Sequence, residues 1–291
     1  MNPSRNGARR QFVLRCREGD LRMGKRTLVM GVLNITPDSF SDGGLFLEPE
    51  AAIEHGLRMA EEGADIIDVG GESSRPGSDP VPLDEEIRRI IPVIKGLVAR
   101  LQIPISVDTY KAQVAEQAVE VGAQIINDIS GLHFDSQMPA VAARYDTPLI
   151  IMHIKGTPKT MQQDPSYTDV MAEVITYLRE GIERIERAGA DPEQVIVDPG
   201  IGFGKRAEDN LVILNRLNDL NILERPLLIG TSRKSFIGAV LDVEVDQRMV
   251  GSLATVAVSV LRGAHIVRVH DVAPVRQAVD MVDAIINAEE Q

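Results

Sequence analysis

Tryptophan is absent from this 291-residue sequence, and its aromatic residues amount to four tyrosines and six phenylalanines. Nucleic-acid bases stack on aromatic side chains, so this scarcity argues against a nucleic-acid-binding surface. Excess positive charge is lacking too. The 43 acidic residues outnumber the 31 Lys and Arg, for a formal net charge of −12, the wrong sign for a phosphate backbone. A single cysteine, Cys16, excludes an internal disulfide and any CxxC metal or redox pair, which fits a reducing cytoplasm. No run approaches the roughly 18 apolar residues of a membrane helix, and the basic opening MNPSRNGARR leads into no apolar secretion segment. What these absences leave is a cytoplasmic, acidic protein whose partners are small molecules, not nucleic acid or membrane.

What is present is enough apolar content, 44%, to build one large core. An α/β barrel of about 250 residues accommodates such a chain in a single domain. The chain is organised around Arg26 to Gly44. Thr27 to Leu33 reads as a buried strand that stops at the polar Asn34, and about fifteen residues rich in Pro, Asp, Ser and Gly follow before the next helical pattern, which runs from Glu50 to Glu62. A buried strand ending in a polar side chain beneath a long loop is how a ligand site is built.

That plan recurs. Gly63-Ala64-Asp65-Ile66-Ile67-Asp68 returns as Gly122-Ala123-Gln124-Ile125-Ile126-Asn127 and as Gly263-Ala264-His265-Ile266-Val267-Arg268, and a looser copy runs from Gly189-Ala190 to Asp198. Strands introduced by proline fall between them, at Pro104 to Asp108, Pro148 to His153 and Pro226 to Gly230. Amphipathic helices are predicted near 83–100, 111–121, 137–145, 170–188, 207–221, 246–262 and 272–288. Eight strands, each followed by a helix, predict a parallel α/β sheet closed into a (β/α)8 TIM barrel over residues 25–291. Residues 1–24 would supply a disordered tail over 1–10 and a hairpin, Phe12 to Arg17 pairing with the chain before Thr27, that closes the barrel bottom. The competing doubly wound sheet calls for a glycine fingerprint after the first strand, and Asn34-Ile35-Thr36-Pro37 is not one.

A barrel of this kind puts its active site at the C-terminal ends of the strands. Those ends carry Asn34, the Glu72 to Arg75 loop, Asp108, Asn127, Asp128, His153, Asp198, Ser232 to Lys234, Arg268 and His270. Any one of them alone is an ordinary cap or loop residue; together they form a polar ring. Asp108, Asn127 and Asp198 suit a planar heterocycle bearing N–H donors. Asn34, Arg268 and His270, from the first and last strands, form a cationic corner that reads as a phosphate or pyrophosphate site, with a carboxylate substrate as the alternative. Gly230 to Ser235 can bind an anion through backbone N–H groups, Lys234 and the Ser235 hydroxyl, or can simply cap a helix. Gly200 to Lys205 fails the P-loop spacing; it reads either as a loop that brings backbone and Phe203 close to a ligand or as a tight turn. The histidines lack zinc-ligand spacing, so a hard cation shared by Asn34 and a substrate phosphate is the metal expected.

The chain resembles the dihydropteroate synthases. The phrases that carry the resemblance are Asn34-Ile35-Thr36-Pro37-Asp38-Ser39-Phe40-Ser41-Asp42-Gly43-Gly44, Gly71-Glu72-Ser73-Ser74-Arg75-Pro76-Gly77, Ser106-Val107-Asp108-Thr109, Ile126-Asn127-Asp128-Ile129-Ser130-Gly131, Met152-His153, Asp198 through Lys205, Ser232-Arg233-Lys234-Ser235 and Arg268-Val269-His270-Asp271. They span nearly the whole chain from Thr27 onward. The resemblance implies a homodimeric, Mg²⁺-dependent, sulfonamide-targeted transferase of folate biosynthesis. It would condense 6-hydroxymethyl-7,8-dihydropterin diphosphate with 4-aminobenzoate and release pyrophosphate. Carried over by position, Asp108, Asn127, Asp198 and Lys234 would hold the pterin. Asn34, Arg268 and His270 would hold the diphosphate, with Asn34 on Mg²⁺, while Ser74, Arg75, Pro76, Phe203 and Ser235 would form the 4-aminobenzoate site. The chemistry would fall to Asp108, Lys234, Arg268 and His270. Ser74 stands where the family usually has Thr, and Ile154 where Met commonly follows the histidine. The rivals are a methyltetrahydrofolate-dependent methyltransferase, which has no diphosphate to bind, and a catalytically silent pterin-binding barrel.

Overall fold

The computed structural model describes residues 9–17, 19–35 and 48–288. Within them lie a two-stranded antiparallel hairpin, β1 (Phe12–Cys16) with β2 (Gly19–Met23), and eight parallel strands. The parallel strands are β3 (Leu28–Asn34), β4 (Ile66–Gly70), β5 (Ile105–Asp108), β6 (Ile125–Asp128), β7 (Leu149–Met152), β8 (Val195–Asp198), β9 (Leu228–Ile229) and β10 (Ile266–Val269). Each pairs with its neighbour in chain order, and β10 returns to β3 through Val267 opposite Val29. The last seam, β8 to β9, is held by the Val197–Leu227 bridge and by Val197 N–H donating to Pro226 O at 3.0 Å. The result is the expected (β/α)8 barrel.

Proline at the start of three strands costs nothing in the ladder because only its missing N–H is unavailable. Pro104 O accepts from Ile67 N at 3.2 Å, Pro148 O from Ile126 N at 3.0 Å, and Pro226 O from Val197 N. Strands β4, β5 and β7 are buried end to end, as both faces are covered.

The intervening helices are α1 (Glu48–Glu61), α2 (Leu83–Val98), α3 (Ala112–Glu120), α4 (Met138–Tyr145), α5 (Val170–Arg187), α6 (Ala207–Asn215), α7 (Ser235–Leu241), α8 (Met249–Leu261) and α9 (Val272–Ile286). Asp169 caps α5, accepting from Met171 N and Ala172 N at 3.0 and 3.1 Å. Two helices are shorter than their periodicity predicts. The 207–221 pattern breaks at Arg216, beyond which Leu217–Leu223 winds as a 3₁₀ helix that still buries Leu217, Leu220 and Leu223. The 246–262 helix begins only at Met249, after a 3₁₀ turn at Val245–Gln247.

Beneath the strands, Ile66, Ile125, Ile196 and Ile266 form an apolar layer with Met30, Ile150 and Leu228, and Leu14, Leu21 and Met23 of the hairpin pack into it from below. The expected tail over 1–10 is corrected at its end. The Arg9 guanidinium is buried in an ion pair with Asp283 of α9, whose other oxygen holds Thr27 N–H at 2.6 Å, because a buried carboxylate is stabilised by an opposite charge. Residues 1–8 lie outside the described residues. So do residues 36–47, most of the long loop expected after Asn34. No described helix is long and apolar enough to cross a membrane.

Candidate active site

Four alternate strands of the barrel, β4, β6, β8 and β10, each place one polar residue two positions above the apolar isoleucine layer: Asp68, Asn127, Asp198 and Arg268. Side chains from alternate strands share a layer inside a barrel, and a period of two along a strand returns them to the same interior face. Here that layer turns polar. Asp68 Oδ2 accepts from Arg268 Nε at 2.6 Å and from Asn127 Nδ2 at 2.9 Å. The other arm of Arg268, Nη2, donates to Asp108 Oδ2 at 2.6 Å, linking in the next strand, β5. Because its Nδ2 serves Asp68, Asn127 keeps its carbonyl oxygen as an acceptor for other partners.

The electrostatics follow from burial. Burial pushes the Asp108 carboxyl up to about 7, against the pull of Arg268 and with the push of Asp68. Burial likewise raises Asp198, opposed by Lys234, and lowers Lys234 to about 8, opposed by Asp198. His270 is exposed at the barrel mouth, yet desolvation by its neighbours and the charge of Arg268 hold it down to about 4, so its imidazole is neutral at pH 7. Although burial works against its charge, Asp68 and Asp108 hold Arg268 above the usual arginine range.

Around this layer stand the other expected residues. Asn34 ends β3, half-buried, and approaches Asp108 across Gly70: a Cβ on Gly70 would meet Asp108 Oδ2 at 3.6 Å and Asn34 Oδ1 at 3.7 Å. His270 is held by Ser232, whose Oγ lies 3.3 Å from His270 N and 3.1 Å from Nδ1. Lys234 precedes α7, donates to Ile201 O, and lies 4.7 Å from the centre of the Phe203 ring, a cation–π contact. Ser74 is half-buried, whereas Arg75, Pro76 and Ser235 are exposed. Arg233 turns outward to pair with Asp271 at 2.8 Å, and Asp128 is taken by the backbone of its own loop, accepting from Ser130 N and Leu132 N at 2.7 and 3.0 Å. These two belong to the scaffold.

Gly200 to Gly204 is a tight turn, closed by Phe203 N–H donating to Gly200 O at 3.1 Å, and not a phosphate loop. Its close approach is to the chain leaving β7, since a Cβ at Gly200 would stand 1.9 Å from His153 O and one at Gly204 would stand 2.4 Å from Lys155 O. Both glycines have positive φ, +68° and +63°.

Two buried residues escaped the strand-end reading. Asp68 lies two residues before the end of β4, and the signal that locates it is the repeated phrase, in which Asp68, Asn127 and Arg268 occupy the same place. Lys205 belongs in sequence to the failed P-loop and to the phrase Asp198 through Lys205, and nothing in its spacing points to the cage it occupies. Among the described residues no three acidic, histidine or cysteine side chains gather to hold a metal.

Residues 30–270 match the model of a family described as pterin binding enzyme. The chain is 48% identical over 263 residues to the dihydropteroate synthase of Synechocystis sp., covering 90% of this chain and 91% of that protein. Two solved structures of Xanthomonas albilineans dihydropteroate synthase are similar in fold. The complex with 4-aminobenzoic acid has a TM-score of 0.90 at 44% identity, covering 96% of this chain and all of the other. The complex with 7,8-dihydropteroate has a TM-score of 0.86 at 42% identity, covering 95% and 100%. A polar layer of this composition above a sealed apolar floor, joined to relatives that match along nearly the whole chain, means that the chain belongs to the dihydropteroate synthases, within the pterin binding enzyme family.

Proposed function

We propose that this protein is a transferase that condenses 6-hydroxymethyl-7,8-dihydropterin diphosphate with 4-aminobenzoate, giving 7,8-dihydropteroate and pyrophosphate. The observation that carries this reading is the polar layer itself, in which buried acceptors for a heterocycle's N–H groups and a half-buried guanidinium for its leaving group are one hydrogen-bonded unit. The relative crystallised with 7,8-dihydropteroate supports the product assignment.

Asn127, Asp198 and Asp108 accept from the pterin N–H groups, and Lys234 donates to its ring oxygen. Buried and prearranged, these partners need no reorganisation when the ring arrives. Arg268 and the neutral His270 receive the diphosphate, and negative charge there would in turn draw a proton onto His270. As the C–O bond to the leaving group breaks, the methylene carbon becomes electron-poor and the Asp108 carboxylate stabilises that charge through the ring. The uncharged amine of 4-aminobenzoate then attacks the methylene and releases its proton, needing no strong base. Phe203, Ser74, Arg75, Pro76 and Ser235 hold the aminobenzoate.

Asn34 offers one amide oxygen, and the described residues add no carboxylate cluster, a donor set that fits a hard cation completing its shell from diphosphate and water. When bound, Mg²⁺ would neutralise charge on the diphosphate oxygens. The protein works as a homodimer: Val250, Val258 and Leu261 of α8, with Met281 and Ile285 of α9, expose apolar surface that supports self-association.

The test is pyrophosphate release from the dihydropterin diphosphate and Mg²⁺, with and without 4-aminobenzoate. Release that depends on aminobenzoate and yields dihydropteroate is expected. Pterin binding without release would move the protein to the methyltransferase or silent-barrel reading.

A further inference from the structure

Lys205 is 3% exposed, yet no carboxylate among the described residues bonds it. Its Nζ meets three partners: His153 Nδ1 at 2.8 Å, Gly200 O at 2.9 Å and Phe203 O at 3.1 Å. The cage is satisfied in either protonation arrangement. An ammonium donates to all three; a neutral amine donates to the two carbonyls and accepts from His153 Nδ1–H. The surrounding turn has all five of its carbonyls engaged from Gly200 to Gly204. Gly200 O and Phe203 O face Lys205, Ile201 O accepts from Lys234, Gly202 O from Gln162 Nε2 at 2.8 Å, and Gly204 O from Tyr167 OH at 2.6 Å. Gln162 and the tyrosine hydroxyl reach in from the loop after β7 and are the more exposed of these ties, whereas Lys205 is the buried one.

We propose that Lys205 is a positioning residue: its amino group staples the Gly200–Phe203 turn to His153 and thereby fixes where the Phe203 ring and the Ile201 carbonyl beneath Lys234 stand. The substrate assigned to Phe203 rests on the reading above, but the mechanical role does not. Asp198 accepts from Gly200 N–H at 2.7 Å, at the end of the turn next to its strand, so a shift of the turn would move the Phe203 ring, three residues farther along, more than the Asp198 carboxylate. Misplacement of a positioning group by about 1 Å is enough to cost a large factor in rate or binding.

The test compares wild type with Lys205→Met, which keeps the stem and removes the donors, and Lys205→Gln, which keeps two N–H donors on a shorter stem. Hydrogen exchange of the 200–205 segment reads the staple without any turnover. Gly202 N–H and Phe203 N–H are protected there by Asn210 and Gly200 O, and K205M should exchange them about tenfold faster while the β-strand amides are unchanged. In the synthase assay, K205M should raise KM for 4-aminobenzoate about tenfold and KM for the pterin diphosphate by less than about threefold, with K205Q between K205M and wild type. Unchanged exchange in K205M overturns the proposal, as does faster exchange with both KM values unmoved or raised alike. If K205M does not fold, His153→Leu, which removes one acceptor of the cage, takes its place, with the same selective pattern expected and the same outcomes overturning the proposal. A wild-type protein without synthase activity would count against the function alone, and the exchange result would still decide the role of Lys205.

Discussion

Arg268 and Asp68 stand 200 residues apart in the chain and meet through a 2.6 Å hydrogen bond from Nε to Oδ2 inside one layer of the barrel. Asp68 is fully buried, and the same oxygen that anchors Arg268 also orients the Asn127 amide. One acid thus sets the geometry of Arg268, proposed for the diphosphate, and of Asn127, proposed for the pterin. The charge of Asp68 is paired through Oδ2 alone, since Oδ1 has no hydrogen-bond partner among the described residues.

Replacement of Asp68 by Asn keeps the shape and removes the charge. The amide oxygen can still accept from both donors at the position of Oδ2, but as a neutral acceptor it no longer offsets the Arg268 charge, so the common anchor of Arg268 and Asn127 is weakened. The expected result is a fall of about a hundredfold in kcat/KM for the pterin diphosphate, with the far-ultraviolet circular dichroism of the wild type retained. Wild-type kinetics in D68N would show that Arg268 is adequately held by Asp108 alone.

The pH dependence of kcat/KM should be bell-shaped. Asp108 acts as a carboxylate, and burial raises it to about 7, so activity is lost as pH falls through that value. Lys234 acts as a cation, and burial lowers it to about 8, so activity is lost again as pH rises beyond. Since the charge of Asp68 contributes to raising Asp108, D68N should shift the acid limb to lower pH. The raised Asp108 also carries a stability sign. The folded state binds this proton more tightly than the unfolded chain, so its contribution is complete below the ordinary carboxyl value of 3.8 and is lost as pH rises through about 7. A pH–rate profile with no acid limb near neutrality would remove Asp108 from this role.

Chelation of divalent metal should stop pyrophosphate release, and added Mg²⁺ should restore it. Asn34→Ala should raise the Mg²⁺ concentration needed for half-maximal rate by about tenfold while leaving binding of a pterin without diphosphate unchanged, since Asn34 is assigned to the metal and not to the ring. Full turnover in the presence of excess chelator would rule the metal out.

At the other end of the barrel, Asp283 of α9 accepts from Thr27 N–H at 2.6 Å, from Thr27 Oγ1 at 2.9 Å and from Arg9. Asp283→Ala strands a buried guanidinium and a buried N–H together, and should destabilise the fold by about 3 kcal/mol, read as a lower urea midpoint with unchanged slope. Its KM values should stay as in the wild type because the floor lies far from the strand C-termini. An unchanged midpoint would mean that the amino-terminal arm is not anchored there in solution.

The alternation of apolar strands and amphipathic helices is local information, and it is enough to specify eight βα units and their order, because periodicity, glycine and proline act within a few residues of where they stand. The recurrent Gly-Ala phrase went further. It marked Asp68, Asn127 and Arg268 as equivalent positions, and those positions became neighbours because barrel closure brings alternate strands to one layer. Which partners they take was decided only in three dimensions. That Asp68 binds Arg268, that Arg9 leaves the tail to meet Asp283, and that Lys205 is caged by carbonyls of its own turn and by His153 are consequences of burial, which obliges each polar group removed from water to find a partner wherever the fold brings one within reach. Sequence determined the barrel and the chemical types around its mouth; the tertiary structure decided the pairing, since pairing depends on distances that no local pattern encodes.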